Sequence, residues 1–182
     1  GIVHAFNPIG GLHHARRSAA GGFCVFNDIG IAIMHARKKY NLKKILYVDI
    51  DAHHGDGVFY EFEDDPDILM ADIHEDGSFL YPGTGFESET GLGAAKGTKL
   101  NLSLRPGATD RDFLSAFMKI ENFIGSMKFE LIIFQCGADG LSGDPLTHLK
   151  YTDKSHEYAA RVLHRIAHEK SSGRIIGLGG GG

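Results

Sequence analysis

The side chains best suited to chemistry lie in one short stretch, residues 49–56. Three aspartates and two histidines occur there, directly after the apolar residues 45–48. An apolar run rich in β-branched residues is typical of a buried strand. Such a concentration of carboxylates and imidazoles would be costly to desolvate without a cation, and open α/β sheets bind ligands at the carboxyl ends of their strands. The stretch therefore predicts a metal site at a strand end.

Three residues are predicted to be the metal ligands. Asp51 and His53 are alternate residues at one strand end, and Asp139 follows a second strand pattern, residues 130–136. Three protein ligands leave a fourth position open, which is the catalytic arrangement for zinc, although this donor set would also suit Fe²⁺ or Co²⁺. Taken alone, an aspartate in a glycine-rich turn is common, so the prediction for Asp139 depends on its pairing with the first cluster.

The adjacent histidines His13 and His14 fit a general base and a general acid. An imidazole with a reference pKa of ~6.5 is suited to moving protons at neutral pH. Each would need a carboxylate to fix its tautomer, and Asp49 and Asp56 are the acids that the metal site leaves over. Taken alone, however, a histidine pair in a glycine-rich segment is more often a surface feature.

Two aromatic residues beside glycines are candidates for the walls of a narrow entrance to this site. Phe23 follows Gly22, and Tyr81 precedes a proline and a glycine. Both are equally compatible with a place in the ordinary core. Glycine itself is frequent, 25 of 182 residues, and it occurs beside the polar clusters, which indicates tight turns and close backbone approach rather than disorder.

Strand patterns alternate with helix patterns, which indicates βαβ units and a mostly parallel sheet. The predicted strands are residues 43–50, 68–73, 99–104, 130–136 and 174–178. The predicted helices are residues 26–40, 57–62, 110–127 and 153–170. We expect residues 1–25 to be irregular and residues 75–97 to form a long loop, of a length that is usually functional or mobile.

Composition bounds the class of protein. A net charge of -4 without any basic run gives no support for nucleic-acid binding, and no apolar run approaches the ~18 residues of a membrane span. Two isolated cysteines, Cys24 and Cys136, suit a reducing compartment. We therefore expect a cytoplasmic location, or a nuclear or cytoplasmic one in a eukaryote; the oligomeric state is left open.

Six segments, taken together and in order, resemble the zinc-dependent histone deacetylase family of the arginase/deacetylase fold, a superfamily that includes acetoin utilisation proteins and acetylpolyamine amidohydrolases. They are Gly10-Gly11-Leu12-His13-His14-Ala15, Gly22-Phe23-Cys24, residues 48–57, Tyr81-Pro82-Gly83-Thr84-Gly85, Gly137-Ala138-Asp139 with Gly143-Asp144-Pro145-Leu146, and residues 178–182. They cover nearly the whole chain. The resemblance implies a three-layer α/β sandwich with a mostly parallel sheet.

The resemblance also implies roles for the polar residues. By position, the family's zinc ligands correspond to Asp51, His53 and Asp139, and its tandem histidines to His13 paired with Asp49 and His14 paired with Asp56. The family commonly holds a potassium ion as well. That monovalent-cation site would correspond to Asp49, Asp51, His53, Asp72 and Ile73, where this chain has Asp72 in place of a serine found in many members.

The substrate tunnel of the family corresponds to Gly22, Phe23, Tyr81 and, at the rim, Leu146. Members specialised for acetylated polyamines can carry an acid at the rim position, so a leucine weakens the polyamine interpretation without excluding it. The family places an oxyanion-stabilising tyrosine after the glycine run and a substrate-holding acidic loop in its N-terminal part. We therefore expect residues 1–182 to be a single partial catalytic domain, truncated at both ends.

The resemblance implies hydrolysis of acetyl groups from lysine side chains, with an acetylated protein or peptide as the partner. A first alternative is a deacetylase of polyamines or another small N-acyl amine. A second is a non-catalytic acetyl-lysine-binding scaffold. A third is an arginase-like hydrolase with two manganese ions, which would need a further bridging acid beside Asp139.

Overall fold

The computed structural model describes residues 3–182, so residues 1–2 of the predicted domain lie outside the described part. The strands are β1 (His4–Asn7), β2 (Ile45–Asp49), β3 (Ile68–Glu75), β4 (Lys99–Leu104), β5 (Leu131–Gln135) and β6 (Ile175–Leu178). The α-helices are α1 (Asp28–Tyr40), α2 (Asp56–Glu61), α3 (Asp110–Gly125) and α4 (Asp153–Lys170). The predicted long loop also contains a short 3₁₀ turn, Gly93–Ala95.

All six described strands form one parallel sheet in the order β1-β6-β5-β2-β3-β4. The prediction of a mostly parallel α/β sheet is confirmed. The prediction that residues 1–25 are wholly irregular is wrong, because β1 pairs with β6 from His4 opposite Ile175 to Asn7 opposite Leu178. β1 is short and exposed, so its formation depends on this distant partner rather than on a local apolar pattern.

Helices cover both faces of the sheet and give three layers. Alternate residues of β2 point to opposite faces. Leu46 and Val48 join a core with apolar residues of α3 and α4, whereas Ile45 and Tyr47 join a second core with apolar residues of α1 and α2. The expected three-layer sandwich is confirmed. In the described part of the chain, no helix combines the length and the apolar character needed to cross a membrane.

The start of α1 also shapes the loop that precedes it. The side chain of Asn27, rather than that of Asp28, caps the helix by accepting a hydrogen bond from the backbone N–H of Gly30. The carboxylate of Asp28 instead accepts hydrogen bonds from the backbone N–H groups of Gly11 (3.0 Å) and Leu12 (2.8 Å). These bonds fix the backbone immediately before His13.

The ends of β3 and α3 are among the predicted boundaries that differ from the observed ones. β3 continues two residues beyond the predicted end, because it pairs with β4 as far as Glu75 opposite Leu104. His74 is therefore part of the buried strand. α3 ends at Gly125, two residues before the predicted end at residue 127.

Candidate metal and catalytic site

Two neighbouring strands deliver the polar side chains to one edge of the sheet. β2 ends at Asp49 and β5 ends at Gln135, and these two residues are paired in register. Because carboxyl ends of parallel strands meet at the same edge, the residues just beyond them converge. Asp51 and His53 come from the first strand end and Asp139 from the second.

The predicted ligands form a compact cluster, with one candidate atom from each residue within 4.8 Å of the others. His53 Nδ1 lies 3.1 Å from Asp51 Oδ1 and 2.9 Å from Asp139 Oδ2. Both carboxylates are buried, and burial alone would lower the pKa of His53. Hydrogen bonds to Asp139 and Asp51 outweigh burial and raise that pKa to about 9. Two carboxylate oxygens and one imidazole nitrogen facing a common point fit a divalent zinc, iron or cobalt ion.

The ligand carboxylates are held by groups that the sequence interpretation missed. The side-chain amide of Gln135 donates to Asp51 Oδ2 at 2.8 Å, and the backbone N–H of Gly181 donates to the same oxygen at 3.0 Å. Asp139 Oδ1 accepts from the backbone N–H of Ala52 at 2.8 Å. Gln135 is fully buried. In the sequence, the only indication of its role was an amide at the end of an otherwise apolar strand.

The structure brings both histidines to this cluster and pairs each with a carboxylate. His13 Nδ1 lies 2.7 Å from Asp49 Oδ2, and His14 Nδ1 lies 2.7 Å from Asp56 Oδ1. The Nε2 atoms of the two rings are 3.0 Å apart, and His13 Nε2 is 3.8 Å from Asp51 Oδ1. Both rings are buried, so this pair is not an exposed surface feature.

Burial and neighbouring charges shift the pKa values of the two imidazoles in opposite directions. Burial lowers the pKa of His13, but the charges of Asp49 and Asp51 outweigh it and hold that pKa well above the usual range. For His14, burial and the neighbouring charge of His13 outweigh the hydrogen bond to Asp56, and the pKa is lowered. These opposite directions favour the protonated form of His13 and the neutral form of His14.

Two further residues support the histidine–aspartate pairs. The hydroxyl of Tyr47 donates to Asp49 Oδ2, and Arg16 Nη2 donates to Asp56 Oδ2 at 2.9 Å. Tyr47 and Asp49 are alternate residues of β2, so they share a face of the sheet. A tyrosine in a buried strand needs a hydrogen-bond partner for its hydroxyl. That requirement was the indication in the sequence that Tyr47 contacts a polar group.

A cavity of about 700 Å³ opens over the metal cluster and the histidine pair, and the four predicted tunnel residues lie along it. They are Gly22, Phe23, Tyr81 and Leu146. Phe23 is 97% exposed and Tyr81 51% exposed, so neither belongs to the core. The ring centroids of Tyr81 and His14 are 5.1 Å apart. These residues surround an entrance, and their contact with a substrate stays a prediction.

Gly22 has a specific steric role in this cavity. Its φ is +49°, and a Cβ added there would lie 2.2 Å from Cδ2 of the His14 ring. Any side chain at this position would therefore collide with the imidazole, which explains the glycine.

The predicted monovalent-cation residues are also close together, since Asp49 and Asp72 are paired in register. Their oxygens already accept hydrogen bonds. Asp49 Oδ1 accepts from the backbone N–H of Asp51 at 3.0 Å, Asp72 Oδ2 accepts from that of Gly55 at 3.0 Å, and Asp72 Oδ1 lies 2.7 Å from His74 Nδ1. Burial lowers the pKa of His74, but the charge of Asp72 outweighs it and raises that pKa. A potassium ion would compete with these donors, and the site stays a prediction.

Comparison with known proteins gives a consistent set of relatives. Residues 2–182 match the family model described as the histone deacetylase domain. The acetoin utilization protein AcuC of Bacillus subtilis is 43% identical over 181 residues, covering 99% of this chain and 46% of the relative. That of Staphylococcus xylosus is 38% identical over 174 residues, covering 95% of this chain and 45% of the relative.

Two solved structures share the fold. A histone deacetylase homolog complexed with SAHA superposes with a TM-score of 0.91 at 36% identity, over 98% of this chain and 47% of the other. The histone deacetylase homolog from Aquifex aeolicus superposes with a TM-score of 0.88 at 35% identity, over 97% of this chain and 47% of the other. The chain thus spans about half the length of the relatives and structures it matches.

Proposed function

Because the chain belongs to the histone deacetylase family, we propose that it carries the metal-binding and proton-transfer groups of a hydrolase that removes acetyl from N-acetylated lysine side chains of proteins. One observation carries this proposal. The ligand cluster and the Nε2 atoms of His13 and His14 line the same cavity, so a metal ion and two proton carriers would meet one substrate group.

Asp51, His53 and Asp139 would hold the metal, for which zinc is the family's usual ion. When bound, zinc acts as a Lewis acid that polarises a carbonyl group and lowers the pKa of water. The three side chains leave room for further ligands on the cavity side, because His53 is partly exposed there. Gln135 and the backbone N–H of Ala52 keep both carboxylates oriented towards that point.

The histidine pair would handle the protons of the hydrolysis. Water adds its oxygen to the acetyl carbon, and the bond from that carbon to the lysine nitrogen breaks. His14 Nε2 would take the water proton, because Asp56 holds its Nδ1–H and leaves Nε2 as the acceptor. His13, held protonated by Asp49, would stabilise the developing negative charge, and the pair would return a proton to the leaving nitrogen, releasing acetate and a free amine.

The apolar residues at the entrance support a protein side chain as the substrate. Exposed aromatic rings and Leu146 offer apolar contacts to the methylene groups of a lysine side chain. A small acetylated amine is the second candidate, and Asp144 favours it, because this acid also lines the cavity and would attract a cationic amine. Its Oδ1 already accepts hydrogen bonds from the backbone N–H groups of Leu146 and Thr147, which reduces that attraction.

The test uses the complete protein, stripped of metal and reloaded with zinc. Acetate release is followed from an acetyl-lysine peptide and from an acetylated polyamine, each with and without a chelator. We expect chelator-sensitive release that is faster from the peptide. Faster release from the polyamine would transfer the assignment to the second candidate, and binding of the peptide without turnover would instead indicate a scaffold.

The variant His14→Ala should lower turnover by about 10²–10⁴-fold while zinc stays bound, because it removes the proton acceptor but no metal ligand. His35→Ala is the matched control, since His35 is an exposed imidazole on α1 that contacts the ring of Tyr40 outside the cavity. Wild-type turnover by His14→Ala would contradict the proposed role.

A further inference from the structure

A second group of three imidazoles lies on the protein surface, outside the cavity described above. His4 comes from β1, and His164 and His168 come from α4. One ring nitrogen from each residue lies within 4.8 Å of the others, and all three residues are exposed. Three imidazoles from two distant parts of the chain thus surround a single point.

The spacing of the two helical histidines suits a shared ligand. His164 and His168 are four residues apart, so they project from the same face of α4. The same i, i+4 spacing of two histidines on a helix binds zinc in metalloproteases. Their ring centroids are 4.7 Å apart, and those of His4 lie 4.8 Å from His164 and 5.0 Å from His168.

One of these rings points a nitrogen towards another member of the group. Gly173 has a φ of +80°, and a Cβ added there would lie 3.3 Å from Nδ1 of His168. The Cε1–Nδ1 edge of this ring therefore faces Gly173. Its Nε2 atom faces His4, whose own Nε2 is 3.1 Å away.

Ordinary explanations account for only part of this arrangement. His168 lies in the last turn of α4, where a positive charge interacts favourably with the helix dipole. That explanation does not extend to His4 on a strand or to His164 one turn earlier. Three protonated imidazoles at these separations would repel one another, whereas three neutral ones present three lone pairs to one cation.

We infer that His4, His164 and His168 form a second metal site, separate from the cluster at Asp51, for a borderline divalent ion such as Zn²⁺. Imidazole ligands suit zinc, nickel and copper, whereas calcium and magnesium require oxygen ligands. A bound ion would connect β1 to α4, which are far apart in sequence.

This connection would act at an edge of the sheet, close in sequence to the loop that carries His13. Among the described strands β1 pairs only with β6, and all four of its residues are exposed. The chain then runs from β1 to the loop that carries His13, and Gly10 O in that loop accepts from the backbone N–H of Gly180 at 2.7 Å. An ion that binds the folded state alone would stabilise this edge of the sheet.

Zinc stoichiometry of the complete, untagged protein tests the inference. After removal of metal, zinc is titrated calorimetrically and bound zinc is counted by elemental analysis. We expect two equivalents for the wild type and one for the double variant His164→Ala/His168→Ala. The control His35→Ala, which removes an exposed imidazole elsewhere, should still bind two.

The variant His53→Ala separates this site from the one in the cavity. It should retain the surface equivalent, and added zinc should raise its melting temperature. Adding the two α4 substitutions should abolish both effects. Copper(II) bound to His53→Ala should show electron paramagnetic resonance couplings to imidazole nitrogens that are lost in the combined variant. Unchanged stoichiometry in His164→Ala/His168→Ala, or no zinc bound by His53→Ala, would overturn the inference.

Discussion

Replacing Gly22 by alanine should disable proton transfer without touching a metal ligand. The added Cβ would lie 2.2 Å from Cδ2, 2.4 Å from Cγ and 2.7 Å from Cβ of His14. Ordinary van der Waals contact begins at 3.4 Å, so the imidazole would have to retreat by about 1.2 Å. Such a shift would break its alignment with His13 Nε2 at 3.0 Å and with Asp56 at 2.7 Å.

A displacement of ~1 Å in a catalytic group can cost about 10²-fold in rate. We therefore expect kcat of Gly22→Ala to fall by about that factor. The φ of +49° at this position adds a cost in stability of about 1–2 kcal/mol, because L-residues avoid left-handed backbone. Zinc affinity should be unchanged, since the collision involves none of the three predicted ligands.

Gly93→Ala is the matched control, because Gly93 has a φ of +52° but no atom lies within 4 Å of the added Cβ. It should share the loss of stability and keep wild-type turnover. Acetate release and chemical unfolding would be measured for both variants in the complete, zinc-loaded protein. Wild-type turnover by Gly22→Ala would refute the steric argument, and an equal loss of turnover in both variants would attribute the effect to the backbone alone.

Two other predictions concern groups behind the site. Gln135→Leu should weaken zinc binding by about 10- to 100-fold, since it removes the 2.8 Å hydrogen bond that orients Asp51; unchanged zinc affinity in a competition titration would contradict this role. Burial lowers the pKa of His54 to about 4 in the folded chain, whereas its pKa in the unfolded chain is ~6.5. Between these two pH values the unfolded chain binds a proton that the folded chain does not. Stability should therefore fall as the pH drops from ~6.5 towards 4, by about 2 kcal/mol at pH 5, and urea titrations of His54→Gln should lack this component.

Local patterns were sufficient for the central elements of the fold. The apolar run of β2 and the spacing of apolar residues in α3 depend on neighbours within a few positions, so they can be read from the sequence. β1 could not be found in this way. Its four residues are exposed, and they are a strand because β6 lies beside them.

The sequence by itself determined the α/β class and the residue types at the strand ends, and the spacing of Asp51 and His53 already grouped two predicted ligands. The tertiary structure decided which groups meet across long separations. It paired each histidine with its own aspartate, placed Gln135 behind Asp51, exposed Phe23 at the entrance, and brought His4 to His168, 164 positions away. The physical reason is that periodicity reports which face of an element is buried, whereas contacts between distant residues depend on strand order and register.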